Sequence, residues 1–184
     1  MNELFRDVEL RMKHAVDHFH NELKTLRTGR ASLSILDSVV VEYYGTPTPL
    51  SQVANLSVAD ANLITAQPWD PSTIGPIERA IKAANLGLNP SNDGKVIRIP
   101  IPPLTEERRK DLSRHVHKMA EEGRNHVRIV RREANEKLKR MLKEHQISED
   151  EEKRALDEVQ KITDQHIKAI DELQQKKDQE LLGK

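Results

Sequence analysis

Three stretches of this chain place apolar residues at steps of three and four; the stretch between the first and the second does not. From Thr105 to His145, Leu112, Val116, Met119, Val127, Val130, Ala134, Leu138 and Met141 recur in that rhythm, with Gly123 filling one gap. This is the stripe of an amphipathic helix, and at 1.5 Å per residue it runs roughly 60 Å. In residues 3–28, Phe5, Val8, Met12, Val16, Phe19, Leu23 and Leu26 step likewise, close to a heptad seam, and Gly29 offers a C-terminal cap. Ser148 and Glu151 stand at capping-box spacing. They open a third helix with the stripe Ala155, Val159, Ile162, His166, Ile170 and Leu173.

Between Arg30 and Leu104 the rhythm changes and all nine prolines fall from Pro47 to Pro103. Val39–Tyr44 is β-rich and is closed by Gly45-Thr46-Pro47-Thr48-Pro49. Val53–Val58, Leu63–Ala66 and Val96–Ile99 read as further strands. Pro71–Ala84 reads as a short helix with Pro71 in its first turn and Ile74, Ile77, Ile81 and Ala84 on its buried side. Pro102-Pro103 sets an extended entry into the long helix, with Thr105 as its candidate N-cap.

No long helix can bury its stripe alone, so the three pack as a bundle. The expected fold is therefore α+β: a discontinuous three-helix bundle, residues 1–29 and 105–184, with an inserted α/β domain, residues 30–104, of β/α/β sandwich character. The two together are expected to make a bent rod. The insert hangs on two short crossings, so Gly29, Arg30 and Ala31 on one side and Pro102, Pro103 and Leu104 on the other are the candidate hinge.

Charge adds a second theme. Lys plus Arg equals Asp plus Glu at 30 each, yet residues 105–145 carry thirteen basic against eight acidic side chains and residues 148–184 seven against eleven. Arg124, Arg128 and Arg131 each follow a stripe position by one residue, which puts them on a ridge about 100° round the helix. If the first two helices run antiparallel with residue 30 beside 105, Arg27 and Arg30 cluster with Arg108 and Arg109 at the hinge end, and the ridge lies near Arg6. Cysteine is absent, which excludes disulfides, thiol nucleophiles and Cys-based zinc sites and fits a cytoplasmic protein. The N-terminus lacks the pattern of a signal peptide, and no run approaches the ~18 apolar residues of a membrane span. Neither a Walker pattern nor G-x-G-x-x-G occurs, so no nucleotide cofactor is expected.

Several segments now carry a resemblance. They are Leu26-Arg27-Thr28-Gly29-Arg30-Ala31-Ser32, Val41 to Leu50, Leu86-Gly87-Leu88-Asn89-Pro90, Asp93-Gly94, Pro102 to Lys110 and Val130-Arg131-Arg132-Glu133-Ala134-Asn135. In these segments, and in their order along nearly the whole chain, the sequence resembles bacterial ribosome recycling factors. The resemblance implies a three-helix bundle with a hinged α/β domain and a monomeric, non-enzymatic factor without cofactors. It implies action on the post-termination ribosome with elongation factor G and GTP, and binding at the intersubunit face through large-subunit ribosomal RNA. By motif, Arg128, Arg131 and Arg132 on the long helix and Arg27 and Arg30 at the hinge end carry that contact. Arg124 and Arg109 join them from the two basic regions.

Each of these features also has a plainer reading. The arginine ridge could snorkel and pair with acids of the third helix, and the whole could be an adaptor whose helices pair with partner helices. His14, His18 and Glu22 share a helix face, but a third ligand at i+8 on a straight helix suits a metal poorly; no metal is expected. His166 reads as a hydrogen-bonded core histidine, and Tyr43 and Tyr44 as one packed and one exposed ring that could stack on a base. No Ser-His-Asp arrangement follows from spacing.

Overall fold

The computed structural model describes residues 1–183 and divides into two compact units, Met1–Arg27 with Glu106–Lys184, and Thr28–Thr105. The first holds α1 (Asn2–Lys24), α4 (Glu106–Lys143) and α5 (Glu149–Leu182); the second holds the strands and short helices. The fold class is the expected α+β one.

In the helical unit most of the periodic positions are buried, while Val16, Leu26, Met141 and Leu173 are half-buried. Leu112, Val116, Met119, Gly123, Val127, Val130, Ala134 and Leu138 are buried along α4, with Ala120 added. The buried side of α5 is Ala155, Val159, Ile162, Thr163, Ile170 and Leu181. His166 is half-buried and donates from Nδ1 to the Ile162 carbonyl at 2.8 Å. Thr163 satisfies its buried hydroxyl on the Val159 carbonyl. Both halves of the capping box form: Ser148 Oγ accepts from the Glu151 N–H, and Glu151 Oε2 accepts from the Ser148 N–H.

Two details of α1 differ from the sequence reading. Its buried side begins with Leu4 rather than Phe5, which is half-buried. Counting back four instead of three from Val8 is equally compatible with a 3.6-residue turn. The helix also stops at Lys24, before Thr28-Gly29. The Thr25 hydroxyl and N–H both go to the Glu22 carbonyl, which closes the last turn locally.

Side-chain pairs give the helix registers. Arg11 meets Glu133 across α1 and α4, and a Cβ at Gly123 would lie 3.8 Å from Phe19 Cβ. Residue numbers of facing positions therefore sum to about 142–144, whereas the crossing-length estimate gave 135. Arg6 consequently lies about two turns past the arginine ridge, and the two do not cluster. Across α4 and α5, Ser113 meets Asp178, Arg124 meets Asp171 and Arg131 meets Gln160. The missing side chain at Gly123 matters for packing: an added Cβ would stand 3.3 Å from Ile170 Cδ1, so glycine lets α5 come close to α4 there.

The smaller unit has a four-stranded antiparallel sheet, in the order β3 (Ala54–Asp60), β4 (Leu63–Pro68), β6 (Ile97–Pro100), β5 (Ser91–Asn92), and a separate hairpin. The hairpin pairs β1 (Val40–Tyr43) with β2 (Thr46–Pro49). The one-turn helix α2 (Leu50–Val53) leads into β3, β4, α3 (Ile74–Ala83), β5 and β6. Its aliphatic core draws Val39, Val41, Leu50, Ile64, Ile77, Ile81, Ile97 and Ile99 together. The Thr46–Pro49 segment, read as a turn from sequence, is a strand. Proline cannot donate to a ladder and is confined to edges, and β2 is an edge with β1 as its one neighbour. Pro71–Thr73 is a 3₁₀ turn that precedes α3, capped by Asp70 through the Ser72 N–H.

Candidate nucleic-acid interface

The four arginines of the α4 ridge and its margin occupy different environments. Arg124 has 16% of its side chain exposed and is locked in place. Its Nε donates to Glu121 at 2.9 Å, and Nη1 donates to Asp171 at 2.7 Å and Gln174 at 3.1 Å, both on α5. This residue takes the pairing with the third helix that the sequence left open for the whole ridge. Arg128 is 41% exposed and stays on its own helix, donating to Glu121 at 2.9 Å and Asn125 at 3.1 Å. Arg131 reaches Gln160 of α5 at a long 3.4 Å. Arg132 is exposed and has no hydrogen bond or ion pair among the described residues. Arg128, Arg131 and Arg132 thus sit at i, i+3 and i+4 with their donors largely unspent, which is what bidentate phosphate recognition requires.

Glu121 is the residue that the sequence reading missed. It receives Arg128 and Arg124, and those bonds hold its carboxyl below the usual glutamate range, Arg128 being the larger cause. The signal was legible as Glu121, Arg124 and Arg128 at i, i+3 and i+7. Since its folded pKa lies below the unfolded one, its contribution to stability is present above the ordinary glutamate range. It is lost as pH falls through the depressed value. Glu121→Gln is therefore expected to flatten the acid limb of the stability curve relative to wild type. Urea midpoints of both proteins at neutral and acid pH check this, and parallel limbs would refute it.

The other sequence candidates are Arg109, Arg27, Arg30 and the hinge residues. Arg109 is half-buried near the start of α4, with its Nε enclosed and unpaired and its Nη1 3.6 Å from where a Gly183 Cβ would be. Arg27 ends the helical unit's first segment and Arg30 belongs to the smaller unit; both are exposed. All six hinge candidates, Gly29, Arg30, Ala31, Pro102, Pro103 and Leu104, fall in the smaller unit. There Gly29 adopts φ +74°, and a Cβ on it would stand 2.9–3.0 Å from Leu104, so glycine is needed where the two crossings touch. Ala31 donates to the Ala61 carbonyl and Ile101 to the Asn62 carbonyl, each at 2.7 Å. The Asn62 amide, with its nitrogen turned to the carbonyls, donates to Gly29 at 2.8 Å.

Asp178 gathers two side chains that spacing could not connect, Ser113 Oγ at 2.9 Å and His117 Nε2 at 3.0 Å. Both bond to the carboxylate, which makes a clamp between α4 and α5. Among the described residues no group of three or more His, Asp or Glu could hold a metal, and His18 simply lies 3.2 Å from Glu22 along α1.

The chain is thus an α+β protein with Arg128, Arg131 and Arg132 close together on its longest helix and a separate small sheet unit. A sequence model described as "Ribosome recycling factor" matches residues 19–182. The ribosome-recycling factor of Desulfosudis oleivorans is 55% identical over 148 residues, 80% of this chain and 80% of that protein. That of Nitratidesulfovibrio vulgaris is 54% identical over 151 residues, 82% and 81% of the two chains. A solution structure of ribosome recycling factor superposes with a TM-score of 0.75 at 44% identity, covering 100% of this chain and 97% of that one. A second match, with a TM-score of 0.63 at 48% identity, covers 99% of this chain and 98% of the other. It comes from models of the T. thermophilus recycling factor and E. coli elongation factor G bound to the E. coli post-termination complex. The chain belongs to the ribosome recycling factor family, whose members are translation factors and not enzymes.

Proposed function

We propose that this chain recycles post-termination ribosomes by gripping large-subunit ribosomal RNA with α4 while elongation factor G and GTP drive the subunits apart. The observation that carries this reading is the trio Arg128, Arg131 and Arg132, presented together with few internal partners in a member of this family. Arg27 and Arg109 on the helical unit and Arg30 on the smaller unit are secondary contacts, and Arg124 acts mainly by holding Glu121 and α5 in place. The helical unit is the anchor and the smaller unit, Thr28–Thr105, the moving part, with the crossings at Gly29–Ala31 and Pro102–Leu104 as hinge. The chain works as a monomer in the cytoplasm. The cytoplasmic reading is supported by membership of a family of ribosome-associated translation factors.

Co-sedimentation with large subunits across a salt series tests the reading. RNA binding through phosphates releases counterions, so affinity should fall steeply with salt, and Arg131→Ala should lower that slope by about one unit. Binding indifferent to salt would instead favour an adaptor that pairs its helices with a partner's.

A further inference from the structure

The arginine face of α4 holds an acid among its cations. Glu121 has 52% of its side chain exposed and stands seven residues before Arg128. Its two oxygens have different partners. Oε2 accepts from Arg124 Nε and Oε1 from Arg128 Nη1, each at 2.9 Å. Arg124 is itself fixed to Asp171 and Gln174 on α5. The carboxylate therefore stays in place when Arg128 turns to another partner. The bonds from Arg128 and Arg124 also keep it ionised below the usual glutamate range.

Arg128 is divided as a result. Its Nη1 is shared between Glu121 and Asn125 Oδ1, while Nε and Nη2 make no bond among the described residues. Those two nitrogens form one edge of the guanidinium, a fork that suits a phosphate. A phosphate on that edge leaves Glu121 undisturbed. A phosphate on the Nη1 side meets a fixed charge of its own sign, which disfavours it. The other charges of α4 divide at the same place. Before Glu121, Lys110 pairs with Glu106 at 3.2 Å and Arg114 with Asp111 at 3.1 Å, while Lys118 has no partner among the described residues. Beyond Arg128, Arg132, Lys139, Arg140 and Lys143 are exposed and have no hydrogen bond or ion pair among the described residues. Most of the unspent cations thus run from Arg128 away from Glu121.

We infer that Glu121 is a specificity-determining residue of the RNA face: it closes the Nη1 side of Arg128 and favours RNA whose phosphates fit the Nε–Nη2 edge together with Arg131 and Arg132. This rests on the function proposed above and adds a residue that selects among RNAs. A flexible RNA can settle in any register, so it gains the second side of Arg128 when the carboxylate is removed. The ribosomal site, already on the open edge, gains nothing.

Binding of the full-length protein to large subunits and to polyuridylate, a flexible RNA, tests this at neutral pH and one fixed salt concentration, since such affinities depend steeply on salt. Glu121→Gln should bind polyuridylate about three- to fivefold more tightly, the scale of one exposed ion pair, and large subunits within about twofold of wild type. Glu9→Gln removes an exposed carboxylate from α1 and makes the same change in net charge; it should leave both affinities as they are. Asn125→Asp sets a second carboxylate at Arg128 Nη1 and should lower polyuridylate affinity by a similar factor, which frees the test from how well Glu121→Gln folds. Equal gains on both RNAs, or an equal gain from Glu9→Gln, would overturn the assignment. So would polyuridylate binding that neither α4 variant moves. Wild-type binding to large subunits that ignores salt would sink the RNA reading itself. Binding that is steep in salt, with the ratio of the two affinities unchanged in both α4 variants, would sink this inference alone.

Discussion

Phe19→Ala is expected to lower the stability of the helical unit by about 3–5 kcal/mol, the usual range for truncating a buried phenylalanine. Phe19 is 1% exposed and heads the fully buried side chains in size. It packs against the glycine of α4: the Cβ position of Gly123 lies 3.8 Å from Phe19 Cβ and 3.3 Å from Ile170 Cδ1. A glycine on the facing helix has no side chain to move into the vacated space, so the cavity stays open and the loss falls in the upper part of the range. Native domains have a stability of about 5–15 kcal/mol, so the variant should be near its threshold at 37 °C. The smaller unit has its own core around Ile64, Ile77, Ile97 and Ile99. Hydrogen exchange should therefore show protection lost in α1, α4 and α5 and retained in β4 and β6. Protection lost equally in both units would mean that they unfold as one.

How much of this was legible follows from the range of each signal. The stripes of α4 and α5 repeat over many turns, so a few ambiguous positions do not hide the period, and Val116, Val127, Leu138, Val159 and Ile170 are all buried. The ends of elements depend on single contacts. Thr25 closes α1 through its hydroxyl, and Thr46–Pro49 becomes a strand because β1 offers it an edge. Propensity speaks against the second outcome, since proline-rich segments read as turns. β5 has two residues, too few for any periodicity.

The candidate site was legible in position and not in state. Arg124, Arg128 and Arg131 follow their stripe neighbours at the same angle, yet one is locked to Asp171 and Gln174 and the others keep their donors. Their difference lies in what α5 presents at each level: a carboxylate and an amide opposite Arg124, a single distant amide opposite Arg131. That depends on the α4–α5 register, which no local pattern encodes. The α1–α4 register escapes the sequence for a related reason. Setting residue 30 beside 105 takes α1 to run up to the crossing, whereas it ends at Lys24, which moves every facing pair by about two turns.

The same difference of state decides the outcome at Arg131. Arg131→Ala should change stability by no more than about ±0.5 kcal/mol, as for surface substitutions generally. It gives up a 3.4 Å bond to Gln160, too long to contribute much, and alanine is the better helix former. Affinity for the large subunit should fall by more, on the order of 1–3 kcal/mol if a charge-assisted bond to phosphate is lost. Arg128→Ala should behave alike, because its bonds to Glu121 and Asn125 stay within α4 and tie no second helix. The double variant should be weaker than either. Lysine at 131 should restore part of the affinity, since it keeps the charge without the planar fork. Arg124→Ala is the opposing case: it strips a mostly buried cation from Asp171, Gln174 and Glu121, so its melting temperature should fall first and binding should follow from that loss. Melting curves and large-subunit affinities measured on the four alanine variants and Arg131→Lys separate the two behaviours. A stable Arg131→Ala protein with undiminished affinity would remove this residue from the RNA face.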